Sequence, residues 1–401
     1  MDTYALARRA RNHLWVTFFL MGLISMAWVP RIPEIKEQLA LSDGTFGLVL
    51  LGSTLGSVPG AQIAGRAVHA FATKKFMRIC GLFMPVGLFL MGRATNIFEL
   101  MSGLFIMGGS FAAMDVAANV QAAAIEKHMK ARFMSSFHGL WSIGAFCAAL
   151  GGGVIAQYVS PRANLQGLAL FSCVALIFAI RGLLHADLDG HQGEAHEETA
   201  AKVPLFAKAV LPLYGIGVGL LCSLIPESGI YDWSGILLKE HMGIEKGVTA
   251  TAATVFSLGM IVSRILGDKA FDKWGHQKTV KLGGYIGGSA WGLSLLIGIP
   301  LADSHKNLAL VIVAVGFTIA GVCMGPFFPA FNLASMSIPG IAPSVGMARV
   351  AVIAISAYFA GPTLIGGLSE ITSLPIAFAF PVALYLLAGR LSSFIVVKEI
   401  K

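Results

Sequence analysis

Two polar residues interrupt a long apolar stretch of this sequence, and both are of types that carry protons or hold small polar molecules. Within residues 108–144, GGSFAAMDVAANVQAAAIEKHMKARFMSSFHGLWSIG, Asp115 and Asn119 stand four apart. One face of a helix therefore carries both. A carboxylate in mid-span costs roughly 2.5–3.5 kcal/mol on insertion scales. Its ionised form is poorly solvated among the small residues around it, so Asp115 must either hold a proton or find a cation. His138, on the next apolar run, is the nearest candidate partner in sequence, and histidine titrates near neutral pH. We expect proton coupling at Asp115 and His138.

Other polar residues break apolar runs elsewhere: Asn332, Arg349 and Glu227, with Trp28 and Trp141 as aromatic surfaces. With Asn119 they form the expected lining of a polar-solute site, with asparagines bonding hydroxyls and tryptophans stacking on a ring. Structural alternatives stay open for each. The asparagines can join helices, the tryptophans can be interfacial anchors, and Asp115 can pair with His138 for structure alone. Arg349 could partner an acid or an anionic solute, and His138 could equally serve a gate at the inner face. Glu227 stands with Tyr231, Asp232 and Trp233 at the expected end of the seventh span, the last two read as residues of the outer mouth.

The elements that must position these residues follow from composition. Mean hydropathy is +0.76, and only 12% of the 401 residues are charged. The chain is an integral membrane protein with room for about twelve spans of ~20 residues. Separated apolar runs exclude a β-barrel, whose strands would alternate. The expected spans are 13–30, 45–65, 77–93, 98–123, 134–158, 164–182, 207–228, 247–266, 279–299, 307–331, 345–367 and 373–396. Arg8, Arg9 and Arg11 precede a full-length apolar run without a small-residue cleavage site, the pattern of a retained first span.

Charge sets the orientation. Arg8, Arg9, Arg11, Lys74, Lys75, Arg78, Lys127, Lys130 and Arg132 fall on one expected side, against Arg31, Lys36, Arg93 and Arg162 on the other. The positive-inside bias puts both termini in the cytoplasm. The net charge of +8 is then a topology signal and implies no nucleic-acid partner. Cys80, Cys147, Cys173, Cys222 and Cys323 are isolated in apolar runs, so neither disulfides nor a cysteine metal site is expected.

Residues 184–204, LHADLDGHQGEAHEETAAKVP, are too polar to span and read as a solvated cytoplasmic linker. It divides the chain into six-span halves at 1–183 and 205–401. The halves repeat. A shift of 203 places Gly56 on Gly259 and Lys36-Glu37 on Lys239-Glu240, and a shift of 213 places Asn119 on Asn332. Paired six-span repeats are the architecture of a transporter with a midplane site.

Residues 267–278, GDKAFDKWGHQK, follow Arg264. They resemble the G-x(3)-D-[RK]-x-G-[RK] loop of the major facilitator superfamily. The resemblance covers essentially the whole chain and is nearest to the fucose-permease-related branch and YbjJ-type bacterial inner-membrane proteins. It is carried also by Met26-Ala27-Trp28 through Arg31, Pro33 and Glu34, by Asp115 through Asn119 to Glu126 and Met129, by His138-Gly139, and by Glu227-Ser228 with Asp232-Trp233. It implies an all-α fold of twelve transmembrane helices in two pseudo-symmetric halves. Asp272 is then a gating residue that pairs with Arg264 or caps a neighbouring helix. The equivalent first-half loop departs from the pattern, with His69 and Ala72 where Asp and Gly would stand. Leu104-Phe105 and Ala148-Ala149 replace motifs common in proton antiporters and drug exporters, which leans towards symport.

The expectation is a secondary transporter that moves a small polar solute, such as a sugar, coupled to protons, by alternating access in the bacterial inner membrane as a monomer. The alternative is a proton-driven exporter of amphipathic compounds. A membrane-embedded sensor or enzyme using Asp115 and His138 ranks third, because no nucleophile motif, metal cluster or phosphate loop supports it. No catalytic residue and no cofactor is expected.

Overall fold

A backbone in hydrocarbon has no water to bond, so each apolar run must satisfy its own N–H and C=O groups and becomes a helix. The computed structural model describes residues 3–190, 211–339, 341 and 343–396, with no strand among them. They contain twelve helices long and apolar enough to cross a membrane. The chain is an all-α, multi-pass membrane protein. In order, the helices are α1 (Thr3–Met26), α2 (Ile32–Gln38), α3 (Asp43–Phe71), α4 (Thr73–Arg93), α5 (Ile97–Met129), α6 (Met134–Ala156) and α7 (Pro161–Arg181). Then follow α8 (Leu211–Met242), α9 (Thr251–Leu301), α10 (Lys306–Met324), α11 (Phe327–Met336), α12 (Pro343–Ile371), α13 (Leu374–Ala377) and α14 (Ala379–Leu391).

Several helices outrun their apolar runs. Arg8, Arg9 and Arg11 lie inside α1, and α8 is 32 residues long, carrying Glu227, Tyr231, Asp232 and Trp233 in its interior. Residues 267–278 are helical apart from one break at Gly275, where φ is 75° and ψ 161°. Lys, Arg, Ala and Gln are strong helix formers, so helices continue into water after hydropathy has fallen.

The chain forms two compact units. The first comprises Met1–Leu41, Leu48–Ala195 and Lys246–Ala250, and the second Ser42–Gly47, His196–Glu245 and Thr251–Lys401. In the first, α1 packs on α6, α5 and α7, and α4 packs between α5 and α7. The contacts depend on missing side chains. A methyl at Gly56 of α3 would overlap the carbonyl oxygen of Phe105 on α5, and one at Gly108 would overlap that of Ser53. Small residues allow such backbone approach, which replaces the hydrophobic drive that is absent in lipid.

In the second unit α9 packs on α10, and α12 and α14 pack on α8. A methyl at Gly259 would stand 2.6 Å from the carbonyl oxygen of Thr318, and one at Gly321 would overlap that of Phe256. Adding 203 to Ser53 and Gly56 yields Phe256 and Gly259, and adding 213 to Phe105 and Gly108 yields Thr318 and Gly321. Each unit thus contains the same pair of glycine contacts at the two shifts read from the sequence. The shifts recur at two segments that leave their own half. In the second unit Gly44 N donates to Glu370 Oε2 at 2.9 Å. In the first, Gly247 approaches Gln157 and the Gly153 carbonyl.

The linker differs from expectation where it is described. Its first residues fold back on the first unit, and Asp189 is fully buried. The carboxylate accepts from Thr73 N at 2.8 Å and Thr73 Oγ1 at 2.5 Å, capping α4 from a distant part of the chain. Gln121 Nε2 donates to Thr73 Oγ1 at 2.6 Å and to Leu184 O at 3.0 Å. Residues 184–190 are therefore a docked strap, because the bare N-terminus of α4 needs an acceptor. His185 is on that strap, and residues 191–204 lie outside the described residues.

The network holds a strained residue. Ala72 joins α3 to α4 with φ 63° and ψ 152°, a region used almost only by glycine. Its counterpart at a shift of 203 is Gly275, in nearly the same conformation. Ala72→Gly should relieve roughly 1–3 kcal/mol of strain while gaining about 0.5–1 kcal/mol of unfolded-chain entropy. We expect a net rise in melting temperature in detergent, and a fall for Gly275→Ala. A fall in melting temperature for Ala72→Gly would show that Ala72 is unstrained, because only the entropy cost would then remain.

Candidate functional site

In the first unit, α5 presents Asp115 and Asn119 as half-buried neighbours on one face. Asn119 Nδ2 donates to the Asp115 main-chain oxygen at 2.9 Å, an i−4 back-bond that also keeps the amide beside the carboxylate. Phe111, one turn earlier, has its ring 6.5 Å from that of Trp141 on α6. The structure thus brings Trp141 to the α5 face that bears Asp115.

His138 is placed elsewhere. Its ring meets Phe18 edge-on at 5.2 Å, beside an aromatic group in which Phe137 stacks on Phe18 at 5.6 Å. Among the described residues no ion pair joins Asp115 to His138. Trp28 is buried just after α1, next to Pro30 and Arg31. Arg31 is fully buried, and its Nη2 donates to Val159 O at 2.6 Å and approaches Glu34 Oε2 at 3.3 Å. That corner ties the end of α1 to the end of α6.

In the second unit, Glu227 on α8 lies within electrostatic reach of Arg264 on α9 and of the hydroxyls of Tyr231, Tyr358 and Tyr385. The hydroxyls of Tyr231 and Ser257 are 3.2 Å apart. This carboxylate, with a guanidinium and hydroxyls from α8, α9 and α12, can bind a hydroxylated or charged small molecule. Trp233 is not a mouth residue. It is fully buried, with its ring 5.2 Å from Phe46. The helix continues beyond it, so it lies well inside the protein. Asn332 on α11 and Arg349 on α12 are both half-buried. Asp272 is exposed, and among the described residues no ion pair joins it to Arg264.

The family model for the Major Facilitator Superfamily matches residues 14–345. The chain belongs to the major facilitator superfamily. It is a membrane transporter and not an enzyme. It is 29% identical over 368 residues to an uncharacterized transporter, y4wD, of Sinorhizobium fredii, covering 90% of this chain and 91% of that protein. It is 28% identical over 384 residues to an uncharacterized MFS-type transporter of Yersinia pestis, covering 94% and 93%. The crystal structure of the nucleoside transporter NupG is similar in fold, with TM-score 0.73, 13% identity, and coverage of 98% of this chain and 100% of that one.

Residues of this transporter that sequence reasoning missed are those acting across long sequence separations: Gln121, Thr73 and Asp189, and Tyr358 beside Glu227. A glutamine inside an apolar helix was a usable signal for Gln121. Asp189 offered none, because an acid in a polar segment looks solvated. Glu126 was visible only as a residue of the resemblance. Its Oε1 accepts from Phe133 N and, at 2.8 Å, from Met134 N, capping α6 across the left-handed turn at Lys130. Glu126→Ala should therefore cost about 1–2 kcal/mol by stranding those amides, while Glu126→Gln, which keeps an acceptor, should cost less. Thermal unfolding in detergent checks this, and equal melting of Glu126→Ala and the parent would contradict it.

Proposed function

We propose that this transporter carries a small polar solute, a sugar or related metabolite, into the cell by symport with protons. The observation that supports it most is Asp115. It is a half-buried carboxylate in mid-helix, surrounded by small apolar residues, with an amide beside it and no ion pair among the described residues. Such a group is stable in a closed, dry protein only when protonated, whereas hydration on opening favours release. Protonation and the conformational cycle are thereby linked. His138 is a secondary proton group near the inner face rather than the partner of Asp115.

Asn119 and Trp141 supply bonding and stacking to the solute from the first unit, and Glu227, Asn332 and Arg349 supply polar contacts from the second, with Trp28 at the outer end. The two repeats work by alternating access around a midplane site. Arg264 and Asp272 act in gating at the inner face. The charge bias supports cytoplasmic termini, and the protein is read as a monomer of a bacterial inner membrane.

The test uses proteoliposomes containing a pH-sensitive dye and a panel of pentoses, hexoses, sugar acids and nucleosides. At least one solute should acidify the interior when added outside. In Asp115→Asn, which mimics the protonated acid, proton-driven accumulation should vanish while solute exchange survives. Normal driven accumulation in that variant would make Asp115 structural and refute the coupling assignment.

A further inference from the structure

A small cavity lies in the first unit, at the end of the bundle that carries its cationic excess. Its volume is about 50 Å³, and its lining includes Arg9, Lys74, Arg181 and His185. Residues from α1, α4, α7 and the docked strap therefore converge on one space. That is more than the minimum of about 10–15 Å³ for a single water, so there is room for a small polyatomic anion.

The charges there are unbalanced. Lys74 is only 7% exposed, and its ammonium donates to Leu183 O at 3.0 Å. Arg9 and Arg78 are close enough for their charges to act on it. Among the described residues no carboxylate forms an ion pair with Arg9, Lys74 or Arg181. Asp189, the nearby acid, is turned to Thr73 N and Oγ1. A buried ammonium among other cations is unfavourable until an anion joins it. Arginine forks and a lysine point charge are the donors that suit phosphate oxygens, and basic pockets at the cytoplasmic ends of spans suit acidic headgroups.

We propose that this cavity is a phosphate-group binding site, separate from the solute site, with Arg9, Lys74 and Arg181 as its donors. A phosphate there neutralises the cluster and braces the strap against α4. The phosphate can come from an anionic lipid headgroup or from solution, and the experiment separates these sources.

Full-length protein in a neutral detergent is titrated with dioctanoyl phosphatidylglycerol, dioctanoyl phosphatidylcholine or inorganic phosphate, and melting temperature is recorded. Stabilisation by phosphatidylglycerol alone assigns the site to a lipid headgroup. Stabilisation by inorganic phosphate as well assigns it to a soluble anion. In either case the double variant Arg9→Gln/Arg181→Gln, altered at exposed positions, should need at least roughly tenfold more ligand, since each cation near the surface adds to the attraction for an acidic group. The control Lys127→Gln/Lys130→Gln removes two exposed cations outside the cavity lining and should respond like the parent. Absence of stabilisation by either phosphate ligand, or an undiminished response in Arg9→Gln/Arg181→Gln, overturns the proposal. An equal loss in the control also overturns it, because diffuse surface charge would then explain the binding.

Discussion

Helices in lipid cannot be pressed together by water, because their neighbours are as apolar as they are. What holds them is how closely their backbones approach, and here that approach is set by glycines facing carbonyl oxygens. Gly56 against Phe105 and Gly108 against Ser53 form one such crossing, and Gly259 against Thr318 and Gly321 against Phe256 form another. No side chain larger than hydrogen fits at these points without moving a backbone. Asp115 stands seven residues after Gly108, on the same helix α5.

Close packing of small residues also explains where polar chemistry can survive. A helix of Gly, Ala and Ser leaves little surface to solvate a charge, so a carboxylate placed there is sensitive to protonation and to opening of the protein. The two units meet this differently. In the first, Asp115 has an asparagine amide and an aromatic face nearby. In the second, Glu227 is set among tyrosine hydroxyls and within reach of Arg264. One repeat thus keeps an acid beside a single amide, while the other builds a polar cluster.

Backbone termini follow the same economy. Asp189 caps α4 from the strap after α7, and Glu126 caps α6 across a turn. Both satisfy amides that a helix end leaves open, and both do so with a carboxylate where the helix dipole favours negative charge. Neither is a local sequence motif, since the partner lies seven or more residues away.

The sequence by itself determined the number of spans, the two-fold repeat and the presence of isolated polar groups. These depend on hydropathy and on residue identity at fixed intervals, which are local quantities. The shifts of 203 and 213 read from single residues reappear as matching backbone contacts, because packing needs the same small residue at the same place in each repeat. Tertiary structure alone decided which polar groups meet. His138 joins Phe18 rather than Asp115, Trp233 is buried against Phe46, Asp189 leaves its polar segment for Thr73, and Arg9, Lys74 and Arg181 gather around one cavity. Hydropathy also placed helix ends too early, as with α8 and residues 267–278, since helix propensity continues beyond the hydrocarbon. Contacts between distant segments depend on how helices cross, and a one-dimensional pattern holds no record of that.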